Sequence, residues 1–208
     1  MSRASAPLNT AGKSGIRGRR LSVAALVAAA LLAVPTTASA ATGDQAALLA
    51  SKKLNITMQA QQKSNWCWAA AGNTIATWFG RDYSQNQFCN AAFNRQQGTE
   101  CPNNQATLGN VQTAFRWAGI NPGSYVTGWL RYPTVQGELN AGRPVETRIQ
   151  WASGGGHMHV LYGYDDANSL VYWGDPWGSN SRYNWASHGW YVDNDQFSWT
   201  HSLYKIGA

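Results

Sequence analysis

The order of helical and strand-like segments is the feature of this sequence that most constrains its fold. Helical spacing of apolar residues dominates after residue 60, whereas short apolar runs bounded by glycine dominate after residue 144. Helices that precede an antiparallel sheet bury their apolar faces against it. The sequence therefore predicts an α+β fold with an N-terminal helical lobe, a C-terminal β-sheet lobe and a cleft at their interface.

The best-defined helix begins near Cys67. The apolar residues that recur at helical spacing after it are Ala70, Ala71, Ile75, Trp78 and Phe79. Ser64 or Asn65 is suited to cap the start of this helix, and Gly80 is suited to end it. The free N–H groups and the dipole at the helix start would then lower the pKa of the Cys67 thiol.

The remaining segments follow the same two patterns. A second helix is predicted over residues 107–118 and a helical turn over residues 135–140. Two strands, over residues 145–151 and 157–164, flank a loop that contains Gly154, Gly155 and Gly156. The aromatic region after residue 178 is also strand-like. His157, at the start of the second strand, can therefore face the cleft.

Four side chains supply the groups that a cysteine nucleophile requires. Cys67 would attack a carbonyl carbon as a thiolate, and His157 would pair with that thiolate and then protonate the leaving group. Asp175 would hold the imidazole in one tautomer through a hydrogen bond. Gln61 would donate its side-chain amide to the oxyanion, together with the backbone N–H of Cys67.

Other residues compete for two of these roles. His159 lies two positions along the strand from His157, on the same face, and either could act as the base. His157 is preferred because the glycine loop places it nearer the strand end. The oxyanion role of Gln61 is preferred on spacing over three neighbours, Gln59, Gln62 and Lys63.

These elements resemble the papain superfamily of cysteine peptidases. The motifs that carry the resemblance are, in order, Gln61, Cys67-Trp68, His157, Gly163-Tyr164 and Asp175-Pro176-Trp177-Gly178. The sequence is more similar to the compact bacterial branch, the AvrRpt2-like (C70) and C39-like peptidases. CWAA, a Gly-Arg-Pro-Val strand entry and an Asp-Pro-Trp ending recur in that branch. The resemblance spans residues 56 to about 178 and implies a papain-like fold.

Three departures separate this sequence from papain itself. Ser64 stands where papain has a second cysteine, so that disulfide is impossible here. The orienting residue is Asp175 rather than asparagine, as in the bacterial branch, and a carboxylate makes the histidine more basic. The interval between Cys67 and His157 is shorter than the roughly 130–150 residues of the plant-type pattern. The resemblance therefore implies trimmed domains and fewer substrate-binding loops.

The resemblance implies a cysteine endopeptidase that hydrolyses peptide bonds through a thioester intermediate. Two alternatives keep the same triad: an acyl transferase, or an amidase that acts on cell-wall peptides. A third is a catalytically inert binding or toxin-like module on the papain fold. The intact triad argues against the inert module, whereas the loops around the cleft decide between the others.

The cysteine count agrees with a catalytic Cys67. The chain contains three cysteines. In an exported protein, Cys89 and Cys101 can form a disulfide while Cys67 remains a free thiol.

The N-terminal region predicts export. Five basic residues precede the apolar stretch of residues 21–34, and Ala38-Ser39-Ala40 follows, which is the pattern of a secretory signal peptide. We therefore expect residues 1–40 to be a signal peptide, residues 41–55 a short linker or propeptide, and residues 56–208 the peptidase domain. Without the first 40 residues the formal net charge of +6 falls to about +1, so charge gives no reason to expect nucleic-acid binding.

The tryptophans and histidines give no strong reason to expect a cofactor, a metal ion or another ligand besides the substrate. The eleven tryptophans are assigned mainly to core packing, although Trp185 to Trp190 could form a wall that contacts substrate. His157 and His159 could reach one metal ion, but no further ligand motif accompanies them. We expect no cofactor, no metal and no membrane association after export. The predicted protein is a secreted monomer with a protein or peptide substrate.

Overall fold

The computed structural model describes residues 50–208. The predicted signal peptide, residues 1–40, and residues 41–49 of the predicted linker lie outside this range. Five helices are described: α1 Cys67–Trp78, α2 Gln85–Ala92, α3 Leu108–Trp117, α4 Tyr132–Asn140 and α5 His188–Val192. The strands are β1 Ser51–Lys53, β2 Ser124–Thr127, β3 Val145–Trp151, β4 Gly156–Asp165, β5 Leu170–Gly174, β6 Tyr183–Ser187 and β7 Phe197–Tyr204.

All seven strands form one antiparallel sheet. Its main order is β2-β7-β3-β4-β5-β6. β1 pairs with residues 163–165 of β4, next to the stretch of β4 that pairs with β3. Residues 51–53, which lie within the predicted linker, are thus part of the sheet. The predicted α+β fold is confirmed, with α1 packed against β4.

The start of α1 differs from the sequence-based expectation. Trp66 occupies the N-cap position, and no side chain caps the helix. Asn65 instead donates two hydrogen bonds to Asn103, whose side-chain amide donates in turn to Ser64. The indole N–H groups of Trp66 and Trp68 donate to the carbonyls of Pro102 and Asn104. Buried tryptophans and the loop over residues 102–104 therefore fix the helix start.

The other helices confirm part of the prediction. α3 begins after Thr107, which forms a capping box with Asn110. α4 begins three residues before the predicted turn, because Pro133 is well tolerated in a first helical turn. The pattern analysis missed α2, half of whose eight residues are polar and whose start is fixed by a capping box between Ser84 and Gln87.

β3 and β4 match the predicted strands closely and are joined by the glycine loop. Gly154 and Gly155 have φ values of 95° and 81°, in the left-handed region that side chains with a Cβ rarely occupy. This tight turn places His157 at the beginning of β4. β5, which the pattern analysis did not identify, ends at Gly174 and leads directly to Asp175.

The disulfide joins Cys89 of α2 to Cys101, with a Cα–Cα distance of 6.1 Å, and Cys67 is a free thiol. Cys101 lies just before the loop that holds the start of α1. The bridge therefore anchors the segment that positions Cys67.

We expect the double variant Cys89→Ala/Cys101→Ala to unfold at a lower temperature, because the bridge closes a loop with a sequence separation of 12. The loop-entropy model gives a loss of roughly 3 kcal/mol. Thermal unfolding of wild type and variant measures the effect. Mass mapping of the unreduced wild type should show one bridge, and a bridge that includes Cys67 in active protein would contradict the arrangement.

Among residues 50–208, no helix combines the length and apolar character needed to cross a membrane.

Candidate active site

Cys67 and His157 line one cleft of about 280 Å³. Cys67 is the first residue of α1, and its half-buried side chain reaches the cleft from the helical lobe. His157 comes from the second residue of β4. Trp151, Trp177 and Arg148 form further parts of the wall. The lobes therefore contribute the thiol and the imidazole from opposite sides, as the sequence predicts.

Asp175 binds the far nitrogen of the His157 ring. The distance from His157 Nε2 to Asp175 Oδ1 is 2.7 Å, and both side chains are buried. This hydrogen bond leaves Nδ1 as the ring atom available to the thiol. Burial opposes the charged imidazolium, but hydrogen bonds to Asp175 and Cys67 outweigh it and raise the pKa of His157 to about 9.

Several donors hold the Asp175 carboxylate. The Trp177 backbone N–H donates to Oδ1 at 2.8 Å, and the Asn180 side-chain amide donates to Oδ2 at 2.9 Å. Burial favours the neutral acid, but the hydrogen bond from His157 and the adjacent His159 ring prevail and hold the pKa of Asp175 well below its usual range. Asp175 therefore stays ionised beside the imidazolium.

His159 lies behind the same carboxylate. Its Nε2 is buried, without a hydrogen-bond partner among residues 50–208, and is 3.6 Å from Asp175 Oδ2. Its Nδ1 is 3.1 Å from the hydroxyl of Tyr191, which is 2.7 Å from Thr147 Oγ1. Burial lowers the pKa of His159, so the ring is neutral. A proton on Nε2 suits this site, because a lone pair there would face the negative carboxylate.

Aromatic rings enclose His157. Trp151 stacks against it with ring centroids 5.8 Å apart, and Trp177 meets it edge-on at 5.7 Å. These rings shield the His157–Asp175 hydrogen bond from water, which strengthens it. Trp177 was visible in the sequence only as part of the Asp-Pro-Trp motif, and Trp151 carried no signal beyond its place at the strand end.

Gln61 lies beside this constellation but not on the cleft wall. Its backbone N–H donates to the carbonyl of Pro176, which ties it to the Asp175 loop. Its side-chain Nε2 donates to the carbonyls of Lys63 and Ser64, at 3.0 and 2.8 Å. The amide hydrogens of Gln61 are therefore already engaged, and one must turn away before it can reach an oxyanion.

Glu146 is a buried carboxyl that the sequence analysis missed. It lies on β3 with no exposed surface, and neither carboxyl oxygen has a hydrogen-bond partner among the described residues. Burial, and secondarily the charge of a Cys67 thiolate, raises the pKa of Glu146 well above its usual value. The neutral acid adds no negative charge near the nucleophile. The only sequence signal was a glutamate within a predicted buried strand.

One group of donor atoms in the described part of the chain is close enough to surround a metal ion. It consists of His157, His159 and Asp175, whose ligand atoms lie within 4.8 Å of one another. An ion at this position would compete with the proton between His157 and Asp175 for the same atoms. The three side chains can therefore hold either the hydrogen bond between His157 and Asp175 or a metal ion, but not both at once.

Comparison with known proteins places the chain in a family. Residues 50–195 match the family described as "Papain-like cysteine protease AvrRpt2". The chain belongs to this family of papain-like cysteine proteases. It is therefore a cysteine-type peptidase, as its sequence motifs predict. Comparison with curated proteins gave no match.

One solved structure shares the fold, and a second is reported beside it. A double glycine motif protease from an AMS/PCAT transporter, in complex with the leader peptide, superposes with a TM-score of 0.50 at 14% sequence identity. The match covers 76% of this chain and 95% of that protease. Xylellain, a cysteine protease from Xylella fastidiosa, matches with a TM-score of 0.46 at 13% identity, over 77% of this chain and 88% of its own.

Proposed function

We propose that this protein is an endopeptidase that hydrolyses peptide bonds through a thioester on Cys67. The observation that carries the proposal is that His157, which lines the same cleft as the free thiol of Cys67, is joined to Asp175 at 2.7 Å. The four unpaired N–H groups at a helix start favour a negative charge on the sulfur. The site thus supplies a nucleophile, a proton carrier and an orienting carboxylate.

The reaction would proceed in two halves. The Cys67 thiolate attacks the scissile carbonyl carbon, and the tetrahedral intermediate collapses to a thioester as His157 Nδ1 gives its proton to the leaving amine. Neutral His157 then removes a proton from water, which attacks the thioester and releases the acid. Asp175 keeps the ring in place and stabilises its positive charge in both halves.

Two donors are assigned to the oxyanion. The backbone N–H of Cys67 is free of an intrahelical partner because it lies in the first turn of α1. Gln61 would be the second donor, after one amide hydrogen leaves the carbonyl of Lys63 or Ser64. The tie between Gln61 and Pro176 supports this role, since it holds the amide near the Asp175 loop.

Replacement of Gln61 by alanine should lower kcat by roughly 10²–10³-fold and change KM little, because the oxyanion bond forms mainly in the transition state. Steady-state kinetics on one fluorogenic peptide test this. Gln62→Ala is a matched control, because Gln62 is exposed and its side chain makes no hydrogen bond among residues 50–208. Equal kinetics for Gln61→Ala and wild type would assign the oxyanion to backbone donors alone.

The pH profile should reflect the raised pKa of His157. The reactive ion pair needs a protonated imidazole, so kcat/KM should fall as the pH rises through about 9. The raised pKa of His157 also adds to the free energy of unfolding. This contribution is complete below about pH 6.5, the pKa of histidine in the unfolded chain, and is lost as the pH approaches 9. Kinetics between pH 5 and 10 check this, and an alkaline limb near 6.5 would contradict a His157–Asp175 pair in solution.

The substrate is proposed to be a protein or peptide, bound by a monomeric enzyme. The related double glycine motif protease is in complex with a leader peptide, which favours a peptide in the corresponding cleft here. We further propose that the protein is secreted after removal of residues 1–40. The disulfide between Cys89 and Cys101 supports this, because such bonds persist in oxidising compartments.

The proposal is tested by incubating the purified protein with a peptide library and identifying products by mass spectrometry. We expect new N- and C-termini with wild type and none with Cys67→Ala. Addition of an amine acceptor separates hydrolysis from acyl transfer, since a transferase would give the aminolysis product. Cleavage confined to cell-wall peptides would indicate an amidase, and no product from any substrate would indicate an inert module.

A further inference from the structure

A second cavity, of about 1020 Å³, adjoins the catalytic cleft, and of its lining residues the mechanism above uses only Asp175. We call it the aromatic groove. It lies between β6, α5 and the loop that follows Asp175, and Trp151 lines both cavities. Its characteristic residues are Trp173, Trp185, Trp190, Asn180, Asn184 and Gln196.

Tryptophan rings form preorganised apolar surfaces in this groove. Trp190 is 39% exposed, yet its ring is held by Trp173, which stacks on it at 6.2 Å and 21°, and by Phe197, which meets it edge-on at 5.5 Å. Trp185, on the edge strand β6, is 66% exposed. Large aromatic rings held open to solvent are typical of surfaces that bind a ligand.

The polar part of the groove is mostly uncharged, and its one ionised group is Asp175. The neutral polar residues are Asn180, Asn184, Gln196, Tyr183, His159 and three serines. Asn180 and Asn184 each use an amide hydrogen within the protein, to Asp175 and to the carbonyl of Ser181. Their side-chain carbonyl oxygens remain available as acceptors. No lysine, arginine or glutamate lines the groove, and the single aspartate, Asp175, is already bonded to its donors.

These features select among ligand classes. A nucleic acid would need lysine or arginine to neutralise its phosphates, and the groove has none. A charged peptide would meet no free opposite charge, because the donors of Asp175 already occupy its carboxylate. A neutral sugar ring instead offers an apolar C–H face that fits a tryptophan ring and a rim of hydroxyl groups that pair with amides. We propose that the aromatic groove binds a neutral oligosaccharide.

The position of the groove relates this binding to catalysis. Trp151 lines both the groove and the cleft, and Asp175 lines the groove while it is bonded to His157, which lines the cleft. A bound saccharide would therefore lie beside the peptide undergoing hydrolysis. This placement, which rests on the proposed function, favours substrates that carry or adjoin a glycan. The binding itself does not depend on peptidase activity.

Binding is tested on the full-length chain with the Cys67→Ala change in every arm, so that no result depends on turnover. The probe is an array of neutral oligosaccharides of three to six residues, built from glucose, galactose, mannose and N-acetylhexosamines. Hits are titrated in solution by tryptophan fluorescence. We expect saturable binding that Trp190→Ala and Trp185→Ala each weaken about tenfold.

Trp117→Ala is the matched control, because Trp117 is 42% exposed on α3 and packs on Tyr83, away from the groove. It should leave sugar affinity unchanged, and thermal unfolding should show that all three variants are folded. Binding to no array member, or equal loss with Trp117→Ala, would overturn the proposal. A second result would also overturn it. If the groove binds no sugar, and Trp185→Ala in enzyme that retains Cys67 raises the KM for peptides, the groove is a peptide subsite.

Discussion

Replacement of His157 by alanine is expected to lower kcat/KM by at least about 10⁴-fold, the largest effect of any histidine change in this protein. The imidazole both stabilises the Cys67 thiolate and protonates the leaving amine, so both functions disappear together. His159→Gln should cost no more than about tenfold. His159 is neutral and reaches the reaction only through Asp175, and a glutamine amide can still donate towards that carboxylate.

Peptidase kinetics on both variants measure this difference. The pH profile separates a positioning role of His159 from a purely structural one, because an amide in place of the imidazole beside Asp175 should move the alkaline limb of activity, whereas a purely structural change should not. Thermal unfolding shows whether either variant is misfolded. A large loss with His159→Gln and a small loss with His157→Ala, in folded proteins, would exchange the two roles.

Replacement of Asp175 by alanine should lower kcat/KM about 10³-fold, and Asp175→Asn should cost about tenfold. Alanine removes the acceptor for His157 Nε2 and the charge that raises the pKa of that ring. Asparagine keeps an oxygen at the position of Oδ1, which also accepts from the Trp177 backbone. Its new NH₂ group would face the amide of Asn180, which can turn to present its oxygen.

The pH profile adds an independent measure for these variants. Without the carboxylate charge, the pKa of His157 should fall from about 9 towards its usual value, so the alkaline limb of activity should move to lower pH in both. An Asp175→Ala enzyme with wild-type kcat/KM would remove Asp175 from the site. Two other carboxylates nearby in the sequence, Asp165 and Asp166, could not orient His157 instead. They lie at the opposite end of β4 from that histidine.

The main features of the fold could be predicted because they depend on local sequence. Helical spacing after Cys67 and the short strand-like runs on both sides of the Gly154-Gly155 loop correspond to α1, β3 and β4. β1 could not be predicted, because three exposed residues have no pattern of their own and are ordered only by pairing with β4. The short helix α2 was missed for a related reason: tertiary packing and the disulfide stabilise it more than propensity does.

The identities of the main site residues could be predicted from the sequence, but their detailed contacts could not. Motif order identified Cys67, His157 and Asp175, and the structure brings these three together. The present hydrogen bonds of the Gln61 amide were not predictable, since they depend on how the loop over residues 61–65 folds back. The contact of His159 with Asp175 required the strand register and the course of the chain after β5.

Covalent labelling of the thiol tests the central claim most directly. A peptidyl epoxide is incubated with wild type and with His157→Ala across pH 5 to 9, and the adduct is located by mass spectrometry while peptidase activity is followed in the same samples. The account predicts one adduct per molecule, on Cys67, formed rapidly at mildly acidic pH in wild type and slowly in the variant, with activity lost in proportion. Labelling of wild type only near the pKa of an ordinary thiol, roughly 8.5, or activity that survives complete modification of Cys67, would contradict it.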